Sequence, residues 1–107
     1  DVKNCYMSFP YDLQRATEVI ESLKGIYETF YVFYDQAREP PEKGFDYRSI
    51  DLSAELDALL KNSYKTEFDF FSDVSQIYID LKDGHTSFNP ACFNAFFFFQ
   101  DIWLYST

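Results

Sequence analysis

Apolar residues return every three or four positions along three stretches of the chain, and each stretch opens on a residue suited to capping a helix. Leu13, Ala16, Val19, Ile20, Leu23, Ile26, Tyr27 and Phe30 make the first stripe, with Gln14, Glu18, Glu21, Lys24 and Glu28 mostly off it. Asp12 stands where its carboxylate can accept from the free amides of the first turn. The run Tyr31-Val32-Phe33-Tyr34 then makes the surface apolar nearly all round. It predicts a helix of about six turns whose aromatic end is buried on several sides as core. Leu52, Leu56, Leu59 and Leu60 form a second, shorter stripe behind Asp51, with Glu55, Asp57 and Lys61 opposite. Phe68, Phe71, Val74, Ile77, Tyr78 and Leu81 form the third. Thr66, with Asp69 after it, opens this helix in the manner of a capping box, and Asp83-Gly84 closes it, with Gly84 expected in the left-handed conformation.

The connections are as legible as the stripes. Asp1–Tyr11 reads as a short lead-in, with Pro10 marking the approach to the first helix. Glu39-Pro40-Pro41 stops the first helix, because a residue before proline is pushed out of the α region. The long connection Arg38–Ile50 carries Gly44, Phe45 and Tyr47, which predicts an ordered loop lying across the surface. Beyond Pro90 the pattern changes to β-type runs, Ala95–Phe99 and Ile102–Tyr105, separated by Gln100-Asp101. A strand apolar on both faces needs cover and a partner at its edge. The expected partner is a downstream segment or a second chain, with self-association through residues 95–105 as a further outcome. The expected fold is therefore mainly α: a three-helix domain over residues 1–90, ending in the Asp83-Gly84-His85 loop. A short β-hairpin or strand pair over 91–107 would lead into a further domain.

Composition narrows the function. With 47% apolar and 21% aromatic residues, 107 residues suffice for one domain with a real core. A net charge of −9, with nine basic residues scattered along the chain, argues against nucleic acid as a partner. No apolar run approaches the ~20 residues that cross a bilayer. Cys5 precedes the first stripe and Cys92 follows the last, an arrangement compatible with one disulfide in an oxidising compartment. Two unrelated buried thiols are the other reading.

The chemistry centres on one residue. His85 is the only histidine, on a loop just behind a helix. A histidine there is either a capping or loop residue or a general base, since its unperturbed titration falls near neutral pH. The chain has no CxxC pair, Gly-rich phosphate loop, HExxH or GxSxG. A metal site would have to draw on carboxylates, with Asp83 the only near candidate, so neither metal nor other cofactor is expected. By itself the chain does not assemble a nucleophile, a base and an orienting acid.

Several short motifs occur together and in order. They are Asn4-Cys5, Asp12, Arg15-Ala16, Tyr31-Val32-Phe33-Tyr34-Asp35-Gln36-Ala37, Glu39-Pro40-Pro41 and Asp51-Leu52. After them come Glu55-Leu56-Asp57, Ser63-Tyr64-Lys65-Thr66, Leu81-Lys82-Asp83-Gly84-His85-Thr86 and Cys92. Together they resemble the N-terminal region of secreted fungal members of the tail-specific (C-terminal-processing) serine peptidase family, the branch similar to chlamydial protease-like activity factor. The resemblance implies a helical domain followed by a PDZ-like segment and a larger α/β catalytic core. It further implies that His85 is the base of a Ser–His–Glu triad whose serine and carboxylate come from later sequence, and that a peptide or protein is the substrate. The expected function is thus that of an N-terminal region of a secreted serine peptidase, inactive alone. The alternative is a small secreted protein-binding module that uses its aromatic C-terminal strands.

Overall fold

A computed structural model describes residues 1–96, and within them the architecture is mainly α. Helix α1 spans Val2–Tyr6, α2 Leu13–Phe30, α3 Leu52–Leu59 and α4 Glu67–Asp80. Single 3-10 turns stand at Gln36–Arg38 and Ala91–Asn94. The three expected caps are in place. Asp12 accepts from the amide of Gln14 at 2.9 Å and Asp51 from that of Ala54 at 3.2 Å. Thr66 Oγ1 accepts from the amide of Asp69 at 3.2 Å while donating to Asp69 Oδ2 at 2.8 Å, so Asp69 meets the cap's hydroxyl and not its backbone amide as a full capping box would.

Helix α3 is the centre of the packing, lying against both α2 and α4. Leu52, Leu56 and Leu59 from α3 are buried with Ala16 and Ile20 from α2 and with Phe70, Phe71, Val74, Ile77 and Tyr78 from α4. The short leucine stripe thus serves two neighbours at once. Around this core, Lys24 donates to both carboxylate oxygens of Asp57 at 3.0 Å, tying α2 to α3. At the other end, Tyr11 donates its amide to Lys65 O at 3.3 Å and Glu67 its amide to Phe9 O at 3.0 Å. This short antiparallel pairing around Pro10 and Thr66 sets the start of α2 beside the start of α4.

Four expectations need correction. The lead-in holds a short helix of its own: Asp1 caps α1 through the amide of Lys3 at 2.8 Å, although α1 buries no residue. Helix α2 stops at Phe30, after about five turns, and Tyr31 is extended. Aromatic and β-branched residues are only moderate helix formers, and Tyr31 and Tyr34 find polar partners off the helix, Asp83 and Ser53. The aromatic end is also not core: Phe30 is 77% exposed, Val32 78% and Phe33 54%. The left-handed residue after α4 is Lys82, with φ 52°, and not Gly84.

At the C-terminal end, the hairpin or strand pair is expected over 91–107, of which 91–96 are described and the rest lies outside the described residues. What is described there begins with the turn Ala91–Asn94, closed by Ala95 in the right-handed region, and not with a strand. Among the described residues no helix is long and apolar enough to cross a membrane.

Candidate functional site

The site begins where α4 ends. Leu81 caps the helix, its amide still bonded to Ile77 O at 3.3 Å, and Lys82 reverses the chain in the left-handed region. A left-handed turn residue satisfies the last carbonyls of a helix, and at a non-glycine it costs about 1 kcal/mol or more. The side chain of Lys82 donates to the Asp46 carbonyl on the long loop. The next residues fold tightly on Asp83: both the amide and the hydroxyl of Thr86 donate to Asp83 O at 3.1 Å. The amide of His85 donates to Asp83 Oδ1 at 3.0 Å.

Three side chains meet at this turn. His85 Nδ1 lies 3.1 Å from Asp83 Oδ1, and the hydroxyl of Tyr31, from the residue following α2, donates to Asp83 Oδ2 at 3.0 Å. The imidazole is 97% exposed, whereas the carboxylate between the two partners is 16% exposed. The Asp83 carboxyl is held below its ordinary range, first by the amide of His85, then by the Tyr31 hydroxyl and the ring of His85. Burial, helped by the same hydrogen bond, pushes the Tyr31 phenol up to about 12. Tyr31 therefore remains a donor at every ordinary pH. With Nδ1 facing the carboxylate, Nε2 is the nitrogen left for a partner in solvent.

These residues border a cleft of about 370 Å³. One side is the turn Leu81–His85; the other is the segment after α2 and the end of the long loop, including Phe33, Gln36, Tyr47, Arg48 and Ile50. The loop lies across the surface as expected. Ile50, 1% exposed, anchors its end, with its amide bonded to Ala37 O at 2.5 Å. Arg48 forks to Glu55 on α3 and, at 2.8 Å, to Asp80 on α4. Those bonds raise the Arg48 guanidinium above its ordinary value, Glu55 contributing most, and hold Asp80 below its own. Arg48 is therefore a fastener with its charge already met.

The chemistry available is proton transfer through His85. The described lining carries hydroxyls only on Tyr31 and Tyr47, and neither serine nor cysteine. A nucleophile for His85 must come from outside the lining. Among the described residues no three His, Cys, Asp or Glu side chains converge to hold a metal ion. The sequence identified His85 and its neighbour Asp83. It missed Tyr31, whose phenol reaches Asp83 across 52 positions of chain, and the clue was only that an aromatic run sits at a helix end.

The cysteines tell a separate story. The disulfide expected between Cys5 and Cys92 is not formed: both are free thiols, Cys5 exposed and Cys92 partly buried. The segments that carry them are nonetheless joined by aromatic contact. Tyr6 stacks on Phe68 at 4.9 Å between ring centres, Phe68 packs on Phe93 at 5.3 Å, and the Tyr6 hydroxyl donates to Phe93 O at 3.3 Å. Stacking and one hydrogen bond join the two segments without sulfur, and burial raises the Cys92 thiol above its ordinary value. Neither family models, nor curated proteins, nor solved structures give a match to this chain.

Proposed function

We propose that these residues are the helical N-terminal region of a secreted serine peptidase of the tail-specific lineage, with His85 as its general base. The observation that carries the reading is the disposition of one ring: Nδ1 faces Asp83, and Nε2 is left open at the rim of a cleft. A base in acyl transfer needs that arrangement. Nε2 takes the proton of the attacking hydroxyl and later returns it to the leaving amine, while a carboxylate on Nδ1 fixes the ring and stabilises the imidazolium that forms. The packed end of α4 supplies the fixity. The serine belongs to sequence outside these residues, and the exposed face of His85 is where it approaches. On this reading the chain alone hydrolyses nothing.

The test is hydrolysis of a fluorogenic peptide pool by the chain joined to its downstream segment. His85→Ala is expected to lower turnover by roughly 10²- to 10⁴-fold, the usual weight of a positioned acid–base group. Because His85 is almost wholly exposed, helical content should be unchanged. Turnover equal to that of the unaltered protein would remove His85 from the mechanism.

A further inference from the structure

We infer that the acid orienting His85 lies within this chain: Asp83 holds the imidazole, and Tyr31 holds Asp83. The inference rests on the reading of His85 as a base and changes where its orienting carboxylate comes from. The resemblance assigns that acid to later sequence, whereas Asp83 Oδ1 already lies 3.1 Å from Nδ1 and accepts the amide of the same histidine at 3.0 Å. A carboxylate fixed through one oxygen still swings about its own bond. Asp83 is fixed through both, because Oδ2 receives the Tyr31 hydroxyl at 3.0 Å from a separate element.

The surroundings favour the same assignment. The Tyr31 ring is held edge-on between Tyr27 at 5.8 Å and Phe33 at 6.1 Å, which makes it a rigid donor. The two cations nearest the turn are engaged elsewhere, Lys82 with Asp46 and Arg48 with Glu55 and Asp80. Among the described residues, His85 is the ion-pair partner available to Asp83. Lys82 bears a backbone conformation that side chains disfavour, and its effect is to turn the chain so that Asp83 faces Tyr31. Tyr31 is thus a positioning residue, acting on His85 through Asp83.

The single histidine makes the test clean, because its ring nitrogens give the only imidazole signals of the 107-residue chain. Nitrogen NMR of the neutral ring reads which nitrogen bears the proton. A free imidazole prefers the proton on Nε2. The expected result is a majority with the proton on Nδ1, loss of that majority in Asp83→Asn and in Asp83→Ser, and partial loss in Tyr31→Phe. Backbone amide spectra establish that the helices persist in each variant. A ring carrying its proton on Nε2 in the unaltered chain, or a ratio unmoved by both Asp83 variants, overturns the role of Asp83. A ratio unmoved by Tyr31→Phe overturns that of Tyr31. Hydrolysis by His85→Ala decides the peptidase reading separately, so each can fail without the other.

Discussion

Where α3 meets α2 and α4, the buried contacts are apolar, and among the described residues no buried side chain is charged. The rim around His85 is built the opposite way: Arg48, Lys82, Asp83 and Tyr31 hold two loops together through hydrogen bonds, with Phe33 and Tyr47 half-exposed between them. Burial is what stabilises a small domain, and surface ion pairs add little to that. The core therefore carries the stability, and the rim can carry geometry for its own sake. Their sensitivities to substitution should differ accordingly.

The largest effect is expected in the core. Leu56 is fully buried between two helices, and Leu56→Ala should cost about 3 kcal/mol in urea unfolding. His85→Ala, by contrast, should shift stability by no more than about 0.5 kcal/mol. Equal costs would erase the distinction. Alkali comes next. Tyr31 and Tyr64 are each raised to about 12 by burial, and burial raises Tyr78 as well. Groups raised in the folded state contribute their full stability below the unfolded value of about 10 and lose it as pH rises through the folded one. Unfolding should set in between pH 10 and 12, read as loss of helix; helix content unchanged up to pH 12 would show that these rings are not part of the fold's stability.

Lys82→Gly attacks the rim in the stabilising direction. It relieves the left-handed backbone at the cost of an exposed contact with Asp46, and the melting temperature should rise by the equivalent of about 1 kcal/mol. A fall would mean that the lysine side chain matters more than its backbone. The smallest effect should be Tyr78→Phe. The Tyr78 hydroxyl is buried without a hydrogen-bond partner, so its removal should leave stability equal or higher by up to about 1 kcal/mol. Clear destabilisation would reveal a partner for that hydroxyl.

The parts legible in the sequence were those set by local rules. Asp12, Asp51 and Thr66 cap because a side chain reaches amides two or three residues away, and the α3 leucines repeat at helical spacing. The end of α2 was not legible: periodicity continued through Tyr31–Tyr34, while the deciding contacts lie on Ser53 and Asp83. Glycine drew the left-handed turn to Gly84 in the reading of the sequence, because a residue's preference is local whereas the place where α4 must stop is set by its packing. Phe70 was missed as core for a related reason. It lies beside the stripe, and tertiary contacts bury it: the core cluster on one side and Tyr11 and Tyr64 from the neighbouring connections on the other. At the site, His85 was legible as the only residue of its kind, whereas the reach of Tyr31 to Asp83 is a tertiary fact.

The central place of α3 also bears on the order in which the molecule assembles. Helices α3 and α4 are joined by a short connection, so their pairing closes a small loop and pays little chain entropy. Docking of α2 must close the long segment between Phe30 and Leu52, and both walls of the cleft border the ends of that docking. The α3–α4 hairpin is therefore expected to form first, with the cleft completed only when α2 docks. On that order, local opening should run in reverse: the cleft should open while the hairpin persists, and its amides should exchange with solvent before those of α4.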